Sequence, residues 1–236
     1  MFASTIAREH ELSSPPMALL VGAGLLLAQR MSEVALSRAN VRRARAQYGE
    51  PVAADEGPRA AAQARAHELG LYGVHALFFL APLTEAYLRS RAGHGWPSPL
   101  VPVWLGLGLL ALAQWIRLRT IATLRTGWRV PTFAFRGAPI VTTGPYARVR
   151  HPNHAAVLLE FAVAPLLAGA PVSWLILNLL HTPFVIARTR REERALARVG
   201  PYAQLLGARP AFVPRLADLL RAGQPIGASS DHKSCN

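Results

Sequence analysis

Two polar clusters bracket an apolar stretch in the second half of this 236-residue chain. Gly144-Pro145-Tyr146-Ala147-Arg148-Val149-Arg150-His151-Pro152-Asn153-His154 stands ahead of it, and Arg188-Thr189-Arg190-Arg191-Glu192-Glu193 follows it. Arg188 and Glu192 are four residues apart, which places them on one face of a helix. Such a pair reads either as a surface ion pair of small energetic weight or as two halves of a site. In a site the cation would hold an anionic head group, and the carboxylate a cationic or hydroxyl-bearing cofactor. In the first cluster, His151 precedes a proline and is biased away from helix, while Pro152 suits the first turn of one. The N–H groups of that turn lack intrahelical partners and can receive a ligand carboxylate; the alternative is a structured elbow at the membrane surface. His151 and His154 could suggest a metal, but the sequence puts no cysteine or acid beside them, so no metal is expected. Glu160 lies within the apolar stretch. It is a candidate general base, or a polar packing contact to Asn178 or His181. His75 and Glu85, also within apolar sequence, fit interhelical hydrogen bonds.

The elements that must carry these residues are helices in lipid. Hydrophobic residues make up 51% of the chain and the mean hydropathy is +0.21, apolar for a soluble domain. Five apolar segments are expected: about Pro16 to Leu36, Leu69 to Leu88, Pro99 to Leu118, Ala155 to Ala168 and Val172 to Ala187. The last two are separated only by Gly169-Ala170-Pro171, a turn signal that predicts a tight helical hairpin. Pro165 and Pro183 should kink its arms and free backbone carbonyls. Trp104 and Trp115 are suited to anchor the third segment at the interface. The fold class is therefore all-α, a polytopic membrane bundle of about five transmembrane helices with a C-terminal hairpin.

The net charge of +13 is almost entirely arginine, since Lys233 is the only lysine. The arginines crowd into the first and third loops and the C-terminal segment, which places those parts in the cytoplasm and the N-terminus outside. That distribution reports topology rather than nucleic-acid binding. Pro51 to Arg65 reads as a mobile part of the first loop. Residues 1–134 are read as N-terminal helices with a basic loop, 135–222 as a core holding both clusters, and 223–236 as a disordered tail. Cys235 is the only cysteine, so no intrachain disulfide is possible, and no removable signal peptide is expected.

Residues from about Trp115 to Pro214 resemble the isoprenylcysteine carboxyl methyltransferase family. The likeness is carried by Gly144-Pro145-Tyr146, by Arg150-His151-Pro152-Asn153, by Arg188 with Glu192-Glu193 and Leu196, and by Gly200 and Tyr202. It departs at His154 and Leu205, where the family usually has tyrosine. The resemblance implies a membrane O-methyltransferase using S-adenosylmethionine on a lipophilic or prenylcysteine-like acceptor, at a site on the cytosolic side of the inner or plasma membrane. It implies cofactor contacts from Ala138, Pro139, Ile140, Val141, Tyr146, His151, Pro152, Asn153, His154 and Glu192. Arg188 would face the acceptor, with Glu160 or His154 as the base should a hydroxyl need one. Glu33-Val34-Ala35-Leu36-Ser37-Arg38-Ala39-Asn40 and Leu158-Leu159-Glu160 resemble a bacterial branch associated with methylating lipid-like polyketides such as alkylpyrones. Competing readings are a sterol-type membrane reductase, which shares the elbow but does not require the Arg188 and Glu192 pair, and a non-catalytic protein anchored to anionic lipid.

Overall fold

A computed structural model describes residues 17–55, 57–94 and 99–215. The expected tail and most of the N-terminal flank lie outside the described residues. Five long helices form the body: α1 (Met17–Tyr48), α2 (Pro58–Arg89), α3 (Val103–Leu124), α4 (Pro152–Leu167) and α5 (Pro171–Ala197), followed by a short α6 (Tyr202–Leu206). One two-residue ladder accompanies them, β1 (Val52–Ala53) antiparallel to β2 (Phe133–Ala134).

The described residues are mostly helical, as expected, but among them only two helices are long and apolar enough to cross a bilayer: Pro58–Ala92 and Val103–Gly127. Only 28% and 22% of their apolar stretches are buried within the protein, so they are not the core helices of a soluble fold. Trp104, Leu107, Trp115 and Leu118 of α3 are exposed, an apolar face suited to lipid. Helix α4 has 16 residues, about 24 Å at 1.5 Å per residue, short of the hydrocarbon thickness of about 30 Å.

Much of the basic first loop is helical. Helix α1 continues through Arg38, Arg42, Arg43 and Arg45 to Tyr48, because this alanine- and arginine-rich stretch favours helix. Val52–Ala53 forms β1, and residues 58–65 form the first turns of α2, which opens on Pro58. Asp55 pairs with Arg194 at 2.9 Å, fastening the loop to α5.

The α4–α5 hairpin forms as expected. Gly169 turns the chain at φ 65°, a left-handed conformation that glycine adopts without strain. Pro165 has no N–H for the Phe161 carbonyl one turn earlier, and Asn178 Nδ2 of α5 donates to that oxygen at 3.0 Å. Helix α2 holds the hairpin from the side. Glu85 accepts the N–H groups of Val172 and Ser173 at 3.1 and 2.6 Å, capping α5, and Arg89 donates to Gly169 O at 2.9 Å. Val74, Phe78, Val157, Phe161 and Leu177 form the core between α2, α4 and α5.

Candidate functional site

A buried ion network ties α1, α3 and α4 together. Arg117 donates to both oxygens of Glu160, at 3.2 Å from Nε and 3.1 Å from Nη2. From Nη1 it also reaches Glu33 at 3.1 Å and Asn153 at 3.3 Å. Arg30 bonds to Glu33 at 3.0 Å and to Glu160, and Gln114 adds a 2.8 Å bond to Glu160. Glu160 is wholly buried and absent from the cavity wall. This corrects both sequence expectations for it. It is placed as an ion-pair partner rather than a base, and its partners are arginines rather than Asn178 or His181. The sequence concealed this because the matching charges, Arg30, Glu33 and Arg117, lie far away along the chain.

The segment Glu33 to Asn40 contributes one buried face of α1, Glu33, Ser37 and Asn40, at a spacing of four and three. Glu33 meets Arg117, Ser37 Oγ accepts from Val130 N at 2.7 Å, and Asn40 Nδ2 donates to the carbonyls of Arg125 and Trp128 at 3.1 and 2.9 Å. These bonds fix the irregular chain after α3, which forms one wall of the cavity.

The elbow begins with Gly144 at φ 61°. A Cβ there would stand 2.6 Å from Thr123 Oγ1 of α3, so glycine permits both the turn and the close seat. The 3₁₀ turn Gly144–Ala147 presents Tyr146 to the cavity. Beyond it, the N–H groups of Arg150 and His151 donate to Pro210 O and Ala211 O, each at 2.9 Å. Arg209 donates to Thr142 O at 3.0 Å and also to Tyr146 O. The chain after α6 thus straps the elbow down, a role with no pattern in the sequence.

Helix α5 continues past the apolar run, so Arg188 and Glu192 emerge on a rigid element. They do not pair directly. His154 stands between them: Arg188 Nε donates to His154 Nε2 at 3.2 Å, and Glu192 lies 3.6 Å from the same nitrogen. Accepting at Nε2 fixes the tautomer, so Nδ1–H donates to Thr189 Oγ1 at 2.9 Å. Arg188 also donates to Val130 O. His151, stacked on His154 at 5.2 Å, donates from Nε2 to Glu193 at 2.9 Å, beside the Tyr202 hydroxyl at 3.3 Å.

These elements surround one cavity of about 540 Å³, within the usual size range of ligand sites. Of the expected site residues, Ala138, Pro139, Ile140, Val141, Tyr146, His151, Asn153, His154, Arg188 and Glu192 line it. Pro152 does not; it is buried as the first residue of α4. Arg129, Tyr202 and His181 also line the cavity and were not identified as site residues from sequence; His75, a weaker candidate there, lines it too.

Burial drives the Tyr146 hydroxyl well above its ordinary pKa, and the Glu192 charge adds to the shift. For Glu192, burial pushes upward, but His154, His151, Arg188 and Arg129 together outweigh it and hold the carboxyl below its usual value. The hydrogen bond from His151 lowers Glu193 likewise.

The structure also corrects the expectation that no acid lies near the histidines. One donor atom each from His151, His154 and Glu192 falls within 4.8 Å of the others. Yet His154 Nε2 receives Arg188, His151 Nε2 serves Glu193, and Arg129 and Arg150 border the same space. That donor set, already engaged and ringed by guanidinium groups, suits a zwitterion better than a dication.

The isoprenylcysteine carboxyl methyltransferase (ICMT) family model matches residues 104–198, the stretch that holds α3, the elbow and the hairpin. This part of the chain is similar to that family, whose members are membrane methyltransferases that use S-adenosylmethionine. The chain is similar to the uncharacterized protein YpbQ of Bacillus subtilis, 28% identical over 177 residues, covering 73% of this chain and 92% of YpbQ. It is also similar to the cobalt-zinc-cadmium resistance protein CzcN of Cupriavidus metallidurans, 34% identical over 157 residues, covering 64% of this chain and 65% of CzcN.

Proposed function

We propose that the protein is an integral membrane O-methyltransferase that takes its methyl group from S-adenosylmethionine and places it on a carboxylate or hydroxyl of a lipophilic acceptor. The observation that carries this reading is the convergence of Tyr146, His151, Asn153, His154, Arg188 and Glu192, from two separate elements, on one cavity. The same cavity is bordered by Leu27 and Met31 of α1 and Tyr72 of α2, apolar side chains that remain about half exposed. A gap so lined between α1 and α2 gives a lipid tail a lateral way in.

S-adenosylmethionine supplies, when bound, a methyl group on a positively charged sulfur that departs as a neutral thioether. The residues present fit its polar parts. The ionised Glu192 carboxylate accepts from an ammonium or a ribose hydroxyl. The first-turn N–H groups of Asn153 and His154, freed by the helix start, suit a carboxylate. Tyr146 remains a hydroxyl donor at neutral pH. Arg188 is held by His154 and Val130 O, which leaves Nη1 to bind the acceptor's oxygen. With its Nε2 lone pair engaged, His154 orients that guanidinium rather than taking a proton. Alignment of oxygen, methyl carbon and sulfur then accounts for most of the rate.

On this reading α1 to α5 give five crossings, with the site and C-terminus in the cytoplasm and the N-terminus outside. The first and third loops and the end of α5 carry the arginines that set this orientation. Helix α1, about 48 Å long at 1.5 Å per residue, extends its basic C-terminal half beyond the bilayer.

The test is transfer of labelled methyl from S-adenosylmethionine by the purified protein in lipid nanodiscs. The acceptors are a prenylcysteine analogue and, separately, a long-chain phenol or pyrone. Saturable cofactor binding with transfer to at least one acceptor is expected; absence of both overturns the assignment. Arg188→Ala should cut acceptor kcat/KM by at least about tenfold, the loss of one charge-assisted hydrogen bond, and Arg188→Lys should not restore it.

A further inference from the structure

Among the described residues, the arginines that border the cavity are not alike. Arg30 and Arg117 are matched by Glu33 and Glu160, and Arg150 by Glu193 at 3.3 Å. Arg43 is exposed to solvent. Arg188 leans on His154 and Val130 O. Arg129 lines the same cavity and is half-buried, yet no carboxylate pairs with it among the described residues.

Its own bonds hold it without neutralising it. Nε donates to Phe133 O at 3.0 Å and Nη1 to Gly127 O at 3.3 Å. The guanidinium carbon stands 5.4 Å from the centre of the Phe135 ring. Two carbonyls and a ring face carry no net charge, and the Nη2 donors remain unused by the described residues. A guanidinium drawn from water without a counter-charge is costly, and it keeps its charge at any ordinary pH.

The backbone that carries Arg129 is fixed on both sides. The Trp128 carbonyl accepts from Asn40 Nδ2 at 2.9 Å, and Val130 N donates to Ser37 Oγ at 2.7 Å. Those partners belong to α1, so a long helix sets where the side chain starts, and the two carbonyls set where it ends. Such a held donor loses little freedom when it meets an anion.

Glu192 is the complementary half. It lines the same cavity, and its charge counters the effect of burial on Arg129, as Arg129 in turn helps keep the Glu192 carboxyl ionised. The two influence each other without forming an ion pair. A fixed cation and a fixed anion that face one cavity and are not joined to each other suit a ligand that carries both charges itself. Arginine matches a carboxylate through two parallel N–H donors.

We propose that Arg129 is a carboxylate clamp, a residue that selects the methyl donor by the free carboxylate at its amino-acid end. The inference rests on the methyltransferase reading and deepens it by naming the group on the donor that is recognised. The first turn of α4 adds N–H donors suited to a carboxylate; Arg129 adds a full charge.

The test is calorimetric titration of wild type, Arg129→Gln and Arg129→Lys in nanodiscs with two ligands, S-adenosylmethionine and its decarboxylated form. The second ligand keeps the sulfonium, the ribose and the ammonium, and lacks only the carboxylate. Wild type should prefer S-adenosylmethionine by at least about tenfold, the scale of a charge-assisted hydrogen bond. Arg129→Gln should lose most of that preference by binding S-adenosylmethionine more weakly, while the decarboxylated form binds as well as before or better, since a repelling charge is gone. Arg129→Lys should fall between them, because an ammonium lacks the fork. Equal weakening of both ligands in Arg129→Gln would mean that Arg129 acts through Glu192 or the loop, and would overturn the clamp. So would unchanged donor affinity with a raised acceptor KM. Should Arg129→Gln fail to fold, Arg129→Lys decides, and an unchanged preference there overturns the clamp. Each of these failures leaves the methyltransferase reading standing; wild-type protein that binds neither ligand would bring both down.

Discussion

Two sets of charged side chains border the same cavity and are built in opposite ways. In the network that Arg30, Glu33 and Arg117 form around the buried Glu160, every charge is matched by an opposite one within the network. At the other end, Glu192, Tyr146 and the first turn of α4 face the cavity with capacity to spare. Both sets put charge beside apolar helices, so charge in an apolar segment does not by itself mark a site. The mark is polar capacity that faces open space and has nothing in the protein to meet it.

The contrast predicts a sharp division of phenotypes, largest first. Arg117→Met should leave Glu160 short of its main partner and destabilise the protein by about 3–5 kcal/mol, the scale for breaking a buried pair, read as a large fall in thermal unfolding temperature in detergent. A change confined to methyl transfer, with the unfolding temperature kept, would make the network part of the site. Glu192→Ala should do the reverse. Losing a charged hydrogen-bond acceptor weakens S-adenosylmethionine binding by about tenfold to a hundredfold, while the unfolding temperature of the ligand-free protein barely moves.

That division also explains what the sequence revealed. The elbow, the hairpin and the cavity-lining residues of the two polar clusters were legible because their chemistry is local: proline and glycine punctuation, a four-residue spacing, and two family motifs. Partners distant in sequence were not. Glu160 announced itself as an oddity, but only folding brings Arg117 and Arg30 to it. The strap of Pro210 and Ala211 over the elbow uses backbone groups, which leave no trace in side-chain type. His181 reads as a packing residue in sequence, whereas both its nitrogens lack a partner among the described residues. The extension of α1 to Tyr48 was hidden because arginines signal a basic loop and a helix end equally well.

Titration sharpens the comparison at a smaller scale. Glu192 has a lowered pKa, so it remains ionised above the ordinary carboxylate value of 4.5, and Tyr146 remains protonated because its pKa is raised. Cofactor affinity should therefore be flat from about pH 6 to 9 and fall only as the pH drops below the usual carboxylate range. Glu193 is also lowered, so its contribution to stability is present above the unfolded carboxyl's value and is lost as pH falls through the folded one. A midpoint near neutrality for cofactor binding would point to a histidine instead. The smallest effect is expected from Asp55→Asn. The Asp55–Arg194 pair is about half exposed, and its loss should change stability by no more than about 1 kcal/mol.

The most direct measurement is calorimetric titration of S-adenosylmethionine into the purified protein and into its Tyr146→Ala and Glu192→Ala variants. One saturable site in the wild type, weakened at least about tenfold in each variant with the fold intact, is the expected result. Equal affinity in all three proteins would place the methyl donor elsewhere and contradict the convergence of elbow and α5 as its site.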